Sequence, residues 1–230
     1  MRDDICTIPI SEVFEEVDGC PICRMYRTVE EHITDYIMGA AMMEPDVRMV
    51  TNKTGFCEKH FSKMMKKRGR LQLALMIESH VDDINNTVLK DSLFAGSKAK
   101  GEKVRRVTES CFICDKIEWG MSRMLETLYR CYETEMDFRK MFNEQNMFCM
   151  PHYERLMAGV DKKKMRSYMG EFVKNLNRIT KDYSVSLHDD VKKYTTMYDY
   201  RNNTENADWG NSRDAVERAV AFLTGNNIEQ

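Results

Sequence analysis

The same four-ligand pattern occurs twice in this chain, as Cys20-Pro21-Ile22-Cys23 followed by Cys57-Glu58-Lys59-His60 and as Cys111-Phe112-Ile113-Cys114 followed by Cys149-Met150-Pro151-His152. A CxxC pair and a CxxH pair together offer three thiolates and one imidazole, the donor set of a closed tetrahedral metal site. The two copies use six of the eight cysteines and two of the five histidines. One copy is weak evidence, but two at matched spacing make coincidence a poor account.

The duplication runs beyond the ligands. A shift of 91 superposes Cys20 on Cys111 and Asp46-Val47-Arg48 on Asp137-Phe138-Arg139, and a shift of 92 superposes Phe56 on Phe148, Val81 on Val173 and Asn85 on Asn177. A single-residue insertion therefore precedes Phe148. The repeat unit, about 70 residues long, exceeds the common solenoid periods, which predicts two tandem related subdomains rather than an array.

Hydrophobic spacing is helical throughout. Ile22, Tyr26, Val29, Ile33, Tyr36 and Ala40 advance by threes and fours, as do Ile113, Ile117, Met121, Met124, Leu128 and Cys131. Each set is the stripe of an amphipathic helix, the first ending before Pro45. Further helices are expected after each CxxH, over 71–89 and 162–182, and over 184–197 and 212–223, the last closed by Gly225 as a C-cap. No segment alternates with strand period. The expected fold is all-α: a first helical repeat over 1–91, a linker over 92–104, a second repeat over 105–182 and a C-terminal helical extension over 183–230.

Within this frame each ligand pair falls at the start of a helix, where the positive end of the macrodipole favours a thiolate. The near-equal spacing inside each copy predicts pairing within a repeat. Cys20, Cys23, Cys57 and His60 would form one site, and Cys111, Cys114, Cys149 and His152 the other. The expected cofactor is Zn2+, two per chain, with an iron–sulfur cluster as the alternative for the same donors. Cys131 aligns with Ala40 on the apolar stripe and reads as a small core residue; Cys6 has no partner in the repeat.

The chain resembles an uncharacterised family of cytoplasmic bacterial helical proteins that carry a doubled CPxC and GFCxxH signature. Cys20-Pro21-Ile22-Cys23 and Gly55-Phe56-Cys57-Glu58-Lys59-His60 match closely. The second copy lacks the proline and has Met147 in place of the glycine, and Tyr198-Asp199-Tyr200-Arg201 is similar to a segment near that family's C-terminus. The resemblance implies the metal pattern and no activity.

Four Cys/His ligands close the coordination shell, which disfavours catalytic zinc, and Glu58 as a general base has only Met150 as its repeat counterpart. Asp46/Arg48 and Asp137/Arg139 recur, either as helix ion pairs or with the carboxylate orienting a ligand histidine. His32, His80 and His188 have no recurring partner. A net charge of −2 opposes indiscriminate adhesion to nucleic acid, although basic runs at 59–70, 98–106 and 162–166 keep that partner in play. Nineteen methionines suit an irregular core or an adaptable protein-binding surface. An acidic start and no long apolar run point to a cytoplasmic protein outside the membrane. The leading functional expectation is a metal-stabilised module that binds another protein; the alternatives are an iron–sulfur redox protein and a metalloenzyme of unknown substrate.

Overall fold

The apolar stripes after the two CxxC motifs become long helices, and each is succeeded by a much shorter one. A computed structural model describes residues 8–90, 96–199 and 207–225, all of them helix or connecting turn. The first half comprises α1 (Ile8–Glu15), α2 (Pro21–Met38), a 3-10 turn (Ala40–Met43), α3 (Pro45–Thr54), α4 (Glu58–Lys66) and α5 (Arg70–Thr87). The second comprises α6 (Ser97–Glu109), α7 (Phe112–Thr134), α8 (Met136–Asn143), α9 (Met150–Gly159), α10 (Met169–Met197) and α11 (Ala215–Thr224). Cys6 and residues 200–201 of the Tyr198 segment lie outside the described residues.

Local chemistry sets the boundaries. Pro45 opens α3, where its missing N–H is not needed, and Gly55 ends that helix at φ 58°, a left-handed position. A Cβ on Gly55 would lie 2.5 Å from His80 Nε2, so the space also demands glycine. Asp161 Oδ1 accepts from the backbone N–H groups of Lys163 and Lys164, which holds residues 161–164 in a turn. α10 therefore starts at Met169, later than the stripe suggests. It then runs unbroken through the expected gap at 183, because Tyr183 packs on Phe222 of α11 and nothing there breaks a helix. Gly225 caps α11 at φ 74° as expected. Much of the segment expected as linker is α6, a helix with no buried residue.

The described residues fall into two compact units: one from Met1–Tyr26 and Ser122–Gln230, the other from Arg27–Met121. Both α2 and α7 are divided between them. The core of the first is aromatic, with Phe142 at 5.0–5.8 Å from the rings of Phe14, Tyr132, Phe148 and Phe172. The second has a methionine-rich core in which Met38, Met42, Met64, Met76 and Met121 are buried with Ile37 and Leu73. Thioethers adapt to the irregular gaps between short helices. Cys131 is buried, in keeping with a packing role. No described helix is long and apolar enough to cross a membrane.

Candidate metal centres

All four ligand pairs use one local device. Cys57 and Cys149 are the N-cap residues of α4 and α9, in extended conformation, and His60 and His152 are the third residues of those helices. Cys20 and Cys111 immediately precede α2 and α7, whose third residues are Cys23 and Cys114. An N-cap side chain and the third helical residue face one another across the first turn, the relation a capping box exploits. The motif thus places two donors together at a helix N-terminus, where the dipole favours negative sulfur.

The pairs then combine across the repeats, which corrects the pairing expected from spacing. Cys20 and Cys23 meet Cys149 and His152 in the first unit, and Cys57 and His60 meet Cys111 and Cys114 in the second; in each cluster the donor atoms all lie within 4.8 Å of one another. The physical reason is that the long helices pass from one unit to the other. α2, 18 residues and about 27 Å long, starts in the first unit with Cys20 and Cys23 and ends in the second, where Cys57 and His60 lie. α7, with 23 residues, starts in the second unit with Cys111 and Cys114 and ends in the first, where Cys149 and His152 lie. Neither CxxH pair is carried back to its own CxxC.

By sequence position the cluster of Cys20, Cys23, Cys149 and His152 is the outer one, and that of Cys57, His60, Cys111 and Cys114 the inner. In the outer cluster His152 Nδ1 lies 3.7, 3.3 and 3.1 Å from the sulfurs of Cys20, Cys23 and Cys149, and Cys23 is 3.6 Å from Cys149. In the inner cluster His60 Nδ1 lies 3.2 Å from Cys57 and from Cys111 and 3.4 Å from Cys114, with Cys57 and Cys114 3.9 Å apart. One ring nitrogen has one hydrogen or one lone pair and cannot bond three thiols. These distances instead approach the edges of a tetrahedron to within about 0.5 Å: metal–ligand bonds of about 2.3 Å to sulfur and 2.0–2.1 Å to nitrogen imply S···S near 3.8 Å and S···N near 3.6 Å. The donor set fits a tetrahedral ion.

Electrostatics agree. Burial opposes ionisation of Cys20, yet contacts with Cys149, Cys23 and His152 hold it well below the ordinary thiol range. The facing sulfur of Cys20 pushes Cys149 up to about 12, and Cys149 in turn drives Cys23 up. In the inner cluster burial is again unfavourable, but His60 brings Cys111 down to about 6, while burial and then the Cys111 charge push Cys114 up to about 12. Crowded thiols keep some of their protons unless a cation at the centre replaces them.

The two clusters differ in their surroundings. His60 is fully buried, and its Nε2 is 3.2 Å from Glu30 Oε1 on α2; Glu30 also receives Lys59 at 2.8 Å and Lys63 at 2.7 Å. His60 first, then Lys59 and Lys63, hold the Glu30 carboxyl well below its usual range despite burial. With Nδ1 facing the thiols, Nε2 carries the hydrogen and donates to Glu30, which fixes the ring. Burial lowers the His60 pKa, but Cys111 and Glu30 outweigh it and raise it to about 9. Glu30 lies one step beside Val29 on the α2 stripe, and its repeat counterpart is Met121, so the duplication concealed it. At the outer cluster Cys23 Sγ donates to the carbonyl of Gly225, and a Cβ on Gly225 would lie 3.4 Å from Cys149 Sγ. The end of α11 rests against that site.

Other candidates take structural roles. Arg48 donates to Leu75 O and Ser79 Oγ on α5, and Arg139 donates to Tyr132 O and lies 3.8 Å over the Tyr168 ring. The recurring arginines are helix clasps. At His60 the orienting carboxylate is Glu30 rather than Asp46. His80 donates through Nδ1 to Asn52 O, and His188 is exposed beside Asp189. Glu58 is bonded by Ser62 at the surface. In the basic run after the first CxxH, Lys63 reaches Glu31 at 3.0 Å, and Lys67 pairs with Glu31 and Asp35, so part of that charge is neutralised along α2.

No curated protein and no solved structure matches the chain. A family model does match it, over residues 1–230, and the description of that family is "Family of unknown function (DUF6062)". An all-helical, internally duplicated chain with two Cys3His clusters, the protein belongs to that family.

Proposed function

We propose that the protein binds one Zn2+ at each cluster and uses the two ions as staples, each joining two helix N-termini that are remote in sequence. Cys20, Cys23, Cys149 and His152 hold one ion, and Cys57, His60, Cys111 and Cys114 the other. The observation that carries this reading is the convergence of three sulfurs and one Nδ1 to distances close to the edges of a mononuclear tetrahedron. An iron–sulfur cluster would interpose its own iron and sulfide between the thiolates and spread them apart. The closed donor sets favour structure over catalysis, and the stapled helices form a scaffold for contact with another protein. Free thiols at all seven described cysteines suit a reducing compartment such as the cytoplasm.

Double substitutions test the sites and their pairing together. Protein purified without oxygen carries two equivalents of zinc and is colourless. Cys57→Ser/Cys111→Ser removes two ligands of one cluster and leaves one equivalent, whereas Cys20→Ser/Cys57→Ser strikes both clusters and leaves none. The reverse result would restore pairing within repeats. A brown protein that bleaches with dithionite and contains matching iron and sulfide would replace zinc with a redox cluster.

A further inference from the structure

We propose that the inner cluster is a metal-exchange site, at which a low-molecular-weight thiol displaces Cys114 from the ion, while the outer cluster retains its metal. This rests on the reading of both clusters as zinc sites. Three features of the molecule converge on it.

The first is access. Cys20 and Cys149 are 5% and 0% exposed and Cys23 is also buried, whereas Cys57 is half-buried and Cys114 exposed. The 3.9 Å edge between the Cys57 and Cys114 sulfurs faces solvent; the 3.6 Å edge between Cys23 and Cys149 is buried. Ligand exchange at a closed tetrahedral ion begins with attack on an open edge, and exposure decides which thiolates a reagent reaches.

The second is a lid present at one cluster. α11 lies beyond the repeat and packs on α10 and α9, with Gly225 against Cys149 and Pro151. Among the described residues no helix intervenes between α5 and α6 to serve α4 in the same way. Instead a cleft of about 720 Å³ opens beside the inner cluster, lined by Phe56, Cys57, Phe61, Met65, His80 and Val107. Cys57, a member of the cluster, thus lines a cleft open to small molecules.

The third is an anchor on the opposite side. His60 is 0% exposed and locked by Glu30, and Cys111 is buried beside it. The ion keeps two fixed ligands while the open edge changes. In the step itself, the incoming thiol sulfur bonds the ion as the bond to Cys114 Sγ breaks, and the thiol proton passes to the departing Cys114 sulfur. One zinc–sulfur bond replaces another, with no change in charge or oxidation state.

The experiment follows zinc leaving the full-length, zinc-loaded protein into excess 4-(2-pyridylazo)resorcinol, with and without free L-cysteine. Two phases of one equivalent each are expected, the first roughly tenfold or more faster and accelerating with cysteine concentration. N-ethylmaleimide added as the first equivalent leaves should label Cys57 and Cys114 and spare Cys20, Cys23 and Cys149, an assignment made on the unaltered protein. Phe222→Ala, which loosens α11, should speed only the slow phase. A single rate for both equivalents, a fast phase independent of cysteine, or first labelling at Cys149 would overturn the proposal while leaving two bound metals intact. Fewer than two equivalents at the outset would overturn the zinc-site reading and this inference with it.

Discussion

Replacing Glu30 with methionine installs the residue that the duplication places at the equivalent position, Met121, and so tests what the carboxylate contributes with little change in volume. Glu30 Oε1 accepts from His60 Nε2 at 3.2 Å, and the imidazole is fully buried. Removing an outer-sphere carboxylate of this kind costs roughly 10- to 100-fold in metal affinity, or about 1.4–2.8 kcal/mol at 1.4 kcal/mol per decade. The buried Nε2–H is also left without its acceptor, a penalty on the order of 1–3 kcal/mol that applies with or without metal. Lys59 is solvated and Lys63 keeps Glu31, so neither adds much. Glu30→Gln retains an amide oxygen to accept from His60 but no charge, and should fall between wild type and Glu30→Met. Competition titration with a zinc chelator resolves both dissociation constants in one protein, and the outer site is the internal control. Equal weakening of both sites, or no change at the inner one, would refute the assignment of Glu30 to His60.

Cys131→Ala should retain both equivalents by elemental analysis and cost on the order of 1–2 kcal/mol in chemical denaturation, because Cys131 is buried packing outside both clusters. Gly55→Ala should destabilise by about 1–3 kcal/mol, since it meets both a left-handed φ and the His80 ring. Gly101→Ala, in open space within α6, should instead stabilise by about 0.5–1 kcal/mol; similar thermal shifts for the two would contradict the backbone account. Zinc binding at pH 7 should release at least two protons at the inner site, since metal-free His60 (raised to about 9) and Cys114 (up to about 12) both hold protons there. Affinity then rises with pH and falls on acidification, and calorimetry in buffers of different ionisation enthalpy counts the protons. Removing zinc with a chelator should lower the melting temperature strongly, because binding energy at such sites is folding energy, on the order of 10 kcal/mol in small zinc peptides.

The Cys and His residues that cluster, the helical character and the position of each donor pair at a helix start were legible because each rests on local rules: N-terminal proline, a three-residue step, apolar periodicity. The partnership of the pairs was not, since equal spacing in each copy satisfies either pairing. What discriminates is that α2 and α7 each begin in one unit and end in the other, which is a property of the tertiary packing. Glu30 was hidden because repeat comparison highlights what recurs, and its counterpart is an apolar methionine. Gly225 was readable as a helix stop but not as a neighbour of Cys23, 202 positions away. Contacts of that range are fixed by tertiary packing, which leaves no local pattern.

The crosswise pairing also nests one closure inside the other, with consequences for a chain made from its N-terminus. His60 and Cys111 are 51 positions apart, while Cys23 and Cys149 are 126 apart. The longer loop costs only about 0.8 kcal/mol more to close, so timing matters more than entropy. The first Cys3His quartet to leave the ribosome is Cys20, Cys23, Cys57 and His60, whose members are divided between the two clusters of the folded protein. Zinc captured there would hold the nascent chain in the wrong register until Cys111 and Cys114 arrive to claim Cys57 and His60, and Cys20 and Cys23 would then wait for His152. A burst of free zinc during synthesis should therefore trap chains that the same zinc, given after release, would complete.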